Sequence, residues 1–230
     1  MSLTMVAIVA AASIAAVALA ASGMMFRSMF IATGGRKISA YAAPRKALVV
    51  LDIQEGYAAT GARQPVTSPP ADGMILTINR LIDKAAGSGM DVVYIRQVFS
   101  NNLFVRLHGG RKQGTVVIDR RIKVINENDF EKNRTDAFSS RQFEQFLVDR
   151  KVSELYLVGV DAAYCVYYTA LGALNRGYKV AVVKDAVKSR NSMTKVLKRF
   201  KRKGITVVTS RELIDVSCMK VKKEHAASGL

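Results

Sequence analysis

The stretch from Leu155 to Thr169, with the sequence LYLVGVDAAYCVYYT, constrains the fold of this chain more than any other. It begins with a short, unbroken apolar run that ends at Gly159, and such a run before a glycine turn predicts a buried parallel strand. The Ala, Tyr and Val pattern that follows predicts a helix. Cys165 therefore stands at a strand-to-helix junction, where unpaired N–H groups and the helix dipole favour a thiolate. Two interpretations stay open: a nucleophilic thiol and a small buried apolar residue.

The composition fits one α/β domain with an appendage. The chain has 230 residues, 50% of them hydrophobic, which allows a substantial core and excludes a disordered chain. Lys and Arg total 35 against 18 Asp and Glu, a net charge of +17 that suits nucleic acid, anionic lipid or an acidic substrate. Zinc-finger spacings and aromatic RNA-binding motifs are missing, so we expect no nucleic-acid partner. Cys165 and Cys218 make no disulfide framework, and a working thiolate favours a reducing compartment.

The N-terminal segment, residues 1–26, carries the second strongest signal. It has no charged residue, and its length suffices for a transmembrane helix. Basic residues follow the apolar run rather than precede it, so the positive-inside rule predicts a membrane anchor with the following domain in the cytoplasm. Residues 18–20, Ala-Leu-Ala, resemble a signal-peptide cleavage site, so export after cleavage is an alternative, and a soluble buried helix is a third.

Three further segments follow the predicted anchor. Residues 27–44 contain two adjacent glycines and several basic side chains, which predicts a juxtamembrane linker, either solvated or in contact with anionic headgroups. Residues 45–215 form the predicted main domain, and residues 216–230 a basic C-terminal tail. The basic side chains of residues 195–203 occupy one side of a predicted helix, as a solvated face or as a contact for anionic lipid.

Apolar runs typical of strands alternate with helical patterns through the main domain. The predicted strands are 46–53, 91–99, 122–125, the run ending at Gly159, 178–183 and 205–209, and helices begin near Asp72, Ser139 or Ser140, Cys165 and Met193. This alternation predicts an α/β fold, a three-layer α/β/α arrangement with a mainly parallel sheet of about six strands. Ligands bind at the carboxyl ends of such strands, where Asp52, Cys165 and Asp185 fall, with Lys132 in a loop within reach.

Four motifs occur in order between Lys46 and about Leu213. They are LVVLDIQEGY at the first strand, FEKNRTDAF in the middle, LVGVDAAYCVYYTALGALNRGYKV around the thiol, and VVKDAV after it. Together they resemble the isochorismatase-like cysteine hydrolase superfamily, which includes nicotinamidases, ureidoacrylate and biuret amidohydrolases, and isochorismatases. Isochorismatases of the vinyl-ether type lack the catalytic thiol, so the presence of Cys165 favours C–N hydrolysis.

The resemblance implies a catalytic triad of Asp52, Lys132 and Cys165. A Lys132 cation near the sulfur would lower the thiol pKa, and Asp52 would take the thiol proton and later help to activate water. The thiolate would attack an amide or ureide carbonyl, expel ammonia or an amine, and leave a thioester-type intermediate. The backbone N–H groups of Asp161 and Cys165 would form the oxyanion hole, after a Val160–Asp161 bond that is commonly cis in the family. We expect the Asp161 carboxylate to point away from that hole.

Gln54, Glu55 and Tyr164 are the candidates for binding substrate. Nicotinamidases resemble one another in an Asp-x-His metal motif after the second strand, but here that segment reads IRQVFSNNLF. His108 and His225 are the only histidines, and neither has a partner at ligand spacing, so we expect no metal and no other cofactor. Nicotinamide is accordingly a poor first guess for the substrate.

The sequence thus predicts a membrane-anchored, cysteine-dependent hydrolase that cleaves a C–N bond of a small amide or ureide. By family habit we expect a homo-oligomer. The alternative is a non-catalytic membrane-attached module that uses the same pocket to bind a metabolite or a protein partner.

Overall fold

Helices and strands alternate through the residues that the computed structural model describes, which are 2–55, 72–98 and 117–215. The strands are β1 (Arg45–Leu51), β2 (Asp91–Gln97), β3 (Asp129–Lys132), β4 (Val152–Gly159), β5 (Lys179–Val187) and β6 (Thr206–Val208). The helices are α1 (Leu3–Met29), α2 (Asp72–Gly87), α3 (Arg141–Asp149), α4 (Tyr167–Asn175) and α5 (Met193–Arg202), with short helical turns at Ala137–Ser139 and Ala162–Val166.

The six strands form one parallel sheet in the order β3-β2-β1-β4-β5-β6. Apolar side chains of β1 alternate between two cores: Val49 belongs to the core that contains residues of α3, α4 and α5, whereas Val50 belongs to the core that contains residues of α2. Both faces of the sheet are therefore covered, which explains the unbroken apolar runs of its central strands. The strand order reverses between β1 and β4, and ligands bind at the carboxyl ends of the strands beside such a point. The predicted α/β/α arrangement with six parallel strands is confirmed.

The predicted strand at 122–125 is wrong. The third strand is instead β3, Asp129–Lys132, which pairs with β2 at the edge of the sheet. Residues 122–125 contact the Tyr94 hydroxyl, which donates to the Lys123 carbonyl at 2.8 Å and accepts from the Ile125 N–H at 3.1 Å. A side chain thus satisfies backbone groups for which the sequence pattern suggested a strand partner.

The predicted membrane anchor over residues 1–26 is not supported. Helix α1 covers most of this segment, but among the residues that the structure describes no helix combines the length and apolarity that a bilayer crossing needs. Alanine dominates α1, and its single methyl group offers less apolar surface than Leu, Ile or Val.

Several predicted features lie outside the described residues. These are the tail at 216–230 with Cys218 and His225, and His108, which falls in residues 99–116; residues 56–71 are likewise outside. The proposed site is built from the described ends of β1, β2, β3 and β4.

Candidate active site

Gly159 lets the carboxyl ends of β1 and β4 approach closely. Its φ of 114° is rarely adopted by other residues, and a Cβ atom there would lie 2.1 Å from the Leu51 carbonyl oxygen. The Val160 N–H, just beyond, donates to that same oxygen at 3.0 Å. Asp52 follows β1 with a φ of 55°, in the left-handed region, and its N–H donates to the Ile95 carbonyl at 2.9 Å. The backbone therefore fixes Asp52 beside the turn that carries Cys165.

The structure brings the three predicted catalytic side chains into contact. Lys132 Nζ lies 2.9 Å from Asp52 Oδ2 and 3.2 Å from Cys165 Sγ. Asp52 is 0% exposed, Lys132 2% and Cys165 5%. Lys132 is the last residue of β3 rather than part of a loop, so three strand-linked positions converge on one ammonium group.

Gln97 is a site residue that sequence reasoning missed. It ends β2, and its Oε1 accepts from Lys132 Nζ at 2.5 Å, while the Arg134 carbonyl accepts at 3.1 Å. An ammonium group has three N–H donors. With Asp52 and Cys165 included, Lys132 therefore has more acceptors than donors, which favours its charged form. The available signal was the place of Gln97 at the carboxyl end of a strand next to β1.

Burial decides the protonation of the sulfur. Burial, and to a smaller extent the nearby Asp52 charge, raise the pKa of Cys165 to about 12, against the opposing effect of the Lys132 charge. Burial likewise raises the pKa of Asp52, although the Lys132 charge lowers it in part. For Lys132, burial lowers the pKa, but the interactions with Asp52 and Cys165 together outweigh it, and the net direction is upward. The Lys132 charge thus lowers the thiol pKa as predicted, but burial and Asp52 outweigh it, so the predicted tendency toward a thiolate is wrong for the resting site. The nucleophile rests as a thiol beside a carboxyl group whose pKa burial also raises.

Alkylation of Cys165 by iodoacetamide should therefore accelerate about tenfold per pH unit between about pH 7 and about pH 10, without a plateau, because only the thiolate reacts. Peptide mapping by mass spectrometry would follow Cys165 separately from Cys218. A rate that levels off below about pH 8 would show that Lys132 outweighs burial.

The predicted oxyanion turn has the expected backbone. The Val160–Asp161 peptide bond is cis. The Asp161 carboxylate accepts from the Ala163 N–H at 2.8 Å and from the Arg190 N–H at 3.3 Å, so it caps the following turn. Within the described part of the chain, no acceptor binds the Asp161 N–H itself. The Asp161 N–H is therefore available to a developing oxyanion. The Asp161 carboxylate already accepts hydrogen bonds from the Ala163 and Arg190 N–H groups.

The three predicted substrate-binding residues differ in their surroundings. Gln54 is 5% exposed; its Oε1 accepts from the Gln97 N–H at 2.7 Å, and its Nε2 donates to the Gln97 carbonyl at 3.2 Å. Glu55 accepts from the Arg120 N–H at 3.4 Å. Tyr164 is 42% exposed and lies next to Cys165 in sequence. Gln54 therefore braces the β1 and β2 ends, while Tyr164 is the candidate with surface to offer a substrate.

Two further charged positions have structural roles. Asp185 accepts from the Ser210 N–H at 2.8 Å and from its hydroxyl, which ties β5 to the segment after β6. Arg199 in α5 lies 3.6 Å from the centre of the Tyr167 ring and donates to the Ala163 carbonyl at 3.2 Å. It therefore braces the turn around Cys165, whereas other basic residues of α5, such as Lys198, are exposed.

No group of three or more His, Cys, Asp and Glu side chains in the described ranges is arranged to hold a metal ion. The site consists of the triad, the Gln54 and Gln97 amides, and the Asp161 turn.

Comparison with known proteins identifies the fold and its relatives. The isochorismatase domain model matches residues 46–214. N-carbamoylsarcosine amidase of Arthrobacter sp. is 23% identical over 163 residues, which cover 64% of this chain and 60% of that protein. Nicotinamidase of Escherichia coli (strain K12) is 26% identical over 184 residues, which cover 64% of this chain and 85% of that protein. The alignment with the Arthrobacter relative thus spans less than two thirds of its length.

A solved structure shows that this chain shares its fold with such an amidase. N-carbamoylsarcosine amidase from Thermoplasma acidophilum superposes with a TM-score of 0.60 at 28% identity, covering 72% of this chain and 96% of that one. The matched region of the family runs from the first strand past the last and contains Asp52, Lys132 and Cys165. This protein therefore belongs to the isochorismatase family.

Proposed function

We propose that the chain is a cysteine-dependent amidohydrolase that cleaves a C–N bond of a small amide or ureide through a thioester-type intermediate. The main support is the position of Lys132 Nζ, which lies 2.9 Å from Asp52 Oδ2 and 3.2 Å from Cys165 Sγ. The names of the relatives support the reaction class, because a nicotinamidase and an N-carbamoylsarcosine amidase both hydrolyse C–N bonds.

The shared ammonium group makes proton transfer possible inside a buried site. At rest the negative charge lies on Asp52 and the proton on Cys165; after transfer the charge lies on sulfur and the proton on the carboxyl group. Lys132 contacts both positions, so the charge keeps a counter-ion throughout. The total charge of the triad is the same in both forms, which avoids the cost of an unpaired buried charge.

The chemical steps follow from this exchange. As Asp52 takes the thiol proton, the sulfur of Cys165 forms a bond to the carbonyl carbon, and the carbonyl oxygen becomes an oxyanion beside the Asp161 N–H. The C–N bond then breaks as the Asp52 carboxyl group returns the proton to the leaving nitrogen, which departs as ammonia or an amine. Water, deprotonated by Asp52, attacks the resulting thioester and breaks the C–S bond, and the carboxyl proton returns to the thiolate.

Ammonia release by the full chain tests the proposal. A panel of small primary amides, N-carbamoyl amino acids and ureides should contain at least one substrate, and Cys165→Ala should lower its hydrolysis by about four orders of magnitude or more. Cys218→Ala, the same change at the other cysteine, should keep the activity.

Two results would contradict the proposal. One is hydrolysis that survives in Cys165→Ala. The other is silence of the folded wild type across the whole panel, which would favour a non-catalytic module that binds a metabolite or a protein partner. Homo-oligomer formation stays a prediction, which analytical ultracentrifugation would test.

A further inference from the structure

Residues 29–38 lie before the matched family region, and hydrogen bonds attach them to the domain. We call residues 29–38 the N-terminal strap. The Thr33 N–H and hydroxyl both donate to Asp136 Oδ2, each at 2.7 Å. Further along, the Ile38 N–H donates to the Arg176 carbonyl at 2.9 Å. Asp136 is 0% exposed, so Thr33 supplies hydrogen bonds to a carboxylate that water does not reach.

Arg176 clamps the strap to the domain. Its side chain is 3% exposed and pairs with Glu144 at 2.6 Å, while its guanidinium also donates to the Thr33 carbonyl at 3.0 Å and the Gly34 carbonyl at 2.9 Å. Gly35 permits this contact, because a Cβ atom there would lie 2.4 Å from Arg176 Nε. The guanidinium has little freedom to retreat, since its partners lie on several sides.

The start of the strap reaches the catalytic region by two contacts. The Met29 carbonyl accepts from the N–H and the hydroxyl of Thr135, whose own carbonyl lies 3.5 Å from Lys132 Nζ. The Phe30 ring packs edge-on against Tyr164, with ring centres 5.9 Å apart. It packs in the same manner against Tyr168 at 6.3 Å. Phe30 therefore covers part of the surface beside the nucleophile.

We propose that the N-terminal strap forms one wall of the substrate site and that Phe30 limits the size of the group that reaches Cys165. The proposal rests on the proposed function in placing the substrate carbonyl at the sulfur. Cys165 is 5% exposed, and Tyr164, the residue before it, stays 42% exposed although Phe30 packs against its ring, so Phe30 borders the accessible surface next to the thiol. The wall selects amides and ureides with small substituents.

The labelling of Cys165 by two maleimides of different size tests whether this wall limits access to the thiol, and it needs no substrate. The ratio of the rates at which N-benzylmaleimide and N-methylmaleimide label Cys165 is independent of the thiolate fraction, because both reagents react with the same thiolate. Phe30→Ala should raise this ratio about tenfold, since it removes the bulk that excludes the larger reagent. Ile31→Ala is the matched control: Ile31 is 55% exposed, and its truncation should leave the ratio within about twofold. Peptide mapping separates Cys165 from Cys218.

A pair of glycine variants tests the wall without changing Phe30. Gly35→Ala should displace the strap from Arg176 and raise the benzyl-to-methyl ratio as well. Gly34→Ala adds the same methyl group where no atom lies within 4 Å, and should leave the ratio unchanged. An unchanged ratio in Phe30→Ala overturns the assignment of that residue, and an unchanged ratio in Gly35→Ala as well overturns the wall. Neither result depends on finding a substrate, so it stands apart from failure of the hydrolase proposal.

Discussion

Replacing Lys132 with Met is expected to abolish hydrolysis and to lower the free energy of unfolding by about 3–5 kcal/mol, the usual cost of removing one partner of a buried ion pair. Asp52 is 0% exposed and its only ion pair is with Lys132 among the described residues, so the change leaves a buried carboxylate without a counter-ion. Its pKa, already raised by burial, would rise further. A carboxyl group whose pKa is higher in the folded than in the unfolded state can stay protonated at little cost at low pH, but its deprotonation opposes folding. The loss of stability in Lys132→Met should therefore increase as the pH rises above the pKa of the unfolded carboxyl group.

Urea denaturation at two pH values measures the loss of stability in Lys132→Met and its dependence on pH. Two further variants serve as controls. Asp52→Asn combined with Lys132→Met removes both charges, and should recover most of the stability but none of the activity. Lys198→Met changes an exposed lysine of α5 and should shift stability by less than about 0.5 kcal/mol. Equal stability of Lys132→Met and the double variant would show that no buried charge is left behind, contrary to the buried Asp52–Lys132 ion pair.

Gly159→Ala should destabilise the fold by about 4 kcal/mol or more, among the largest effects of single substitutions. The added Cβ would lie 2.1 Å from the Leu51 carbonyl oxygen, which belongs to a central strand and cannot move without disturbing the sheet. Relief of that clash would separate the β1 and β4 ends, and with them Asp52 and Cys165. Thermal or urea denaturation and ammonia release would both report the change.

Gly89→Ala is the matched control for this prediction. Gly89 also has a positive φ, 69°, but a Cβ atom there would meet nothing within 4 Å. Its substitution should cost only the conformational strain of about 1–2 kcal/mol. Similar losses in both variants would mean that the backbone angle, rather than the close approach of the strands, explains the effect.

The sheet was predictable because its central strands are apolar on both faces. The runs that became β1 and β4 stand out in the sequence for this reason. β3 could not be found in this way, because Asp129–Lys132 reads DFEK and lies at the edge, where its pairing with β2 rather than its own pattern defines it. Residues 122–125 have an apolar pattern typical of a strand but pair with none, because the Tyr94 hydroxyl bonds to backbone groups of Lys123 and Ile125 instead.

The site was predictable where a motif and a strand end coincide, as at Asp52 and Cys165. Gln97 was not, because amide side chains occur in many contexts and its role depends on a 2.5 Å contact across two strands. The direction of the Cys165 pKa also depends on burial, which only the folded chain determines. Similarly, Gly35 suggests a flexible linker in the sequence, whereas in the structure it makes room for the Arg176 side chain.

The unchanging total charge of the triad has a consequence for experiments at different ionic strengths. Dissolved salt screens charges that face solvent, over about 8 Å at physiological concentration, and has little influence on a buried exchange that creates no net charge. The exterior differs, because the chain carries a formal net charge of +17 and attracts anionic molecules over longer distances. Salt should therefore alter how quickly a charged substrate is captured, while the rate of bond cleavage in the bound state stays constant. A titration with sodium chloride would reveal the charge of the substrate even before its pose is known.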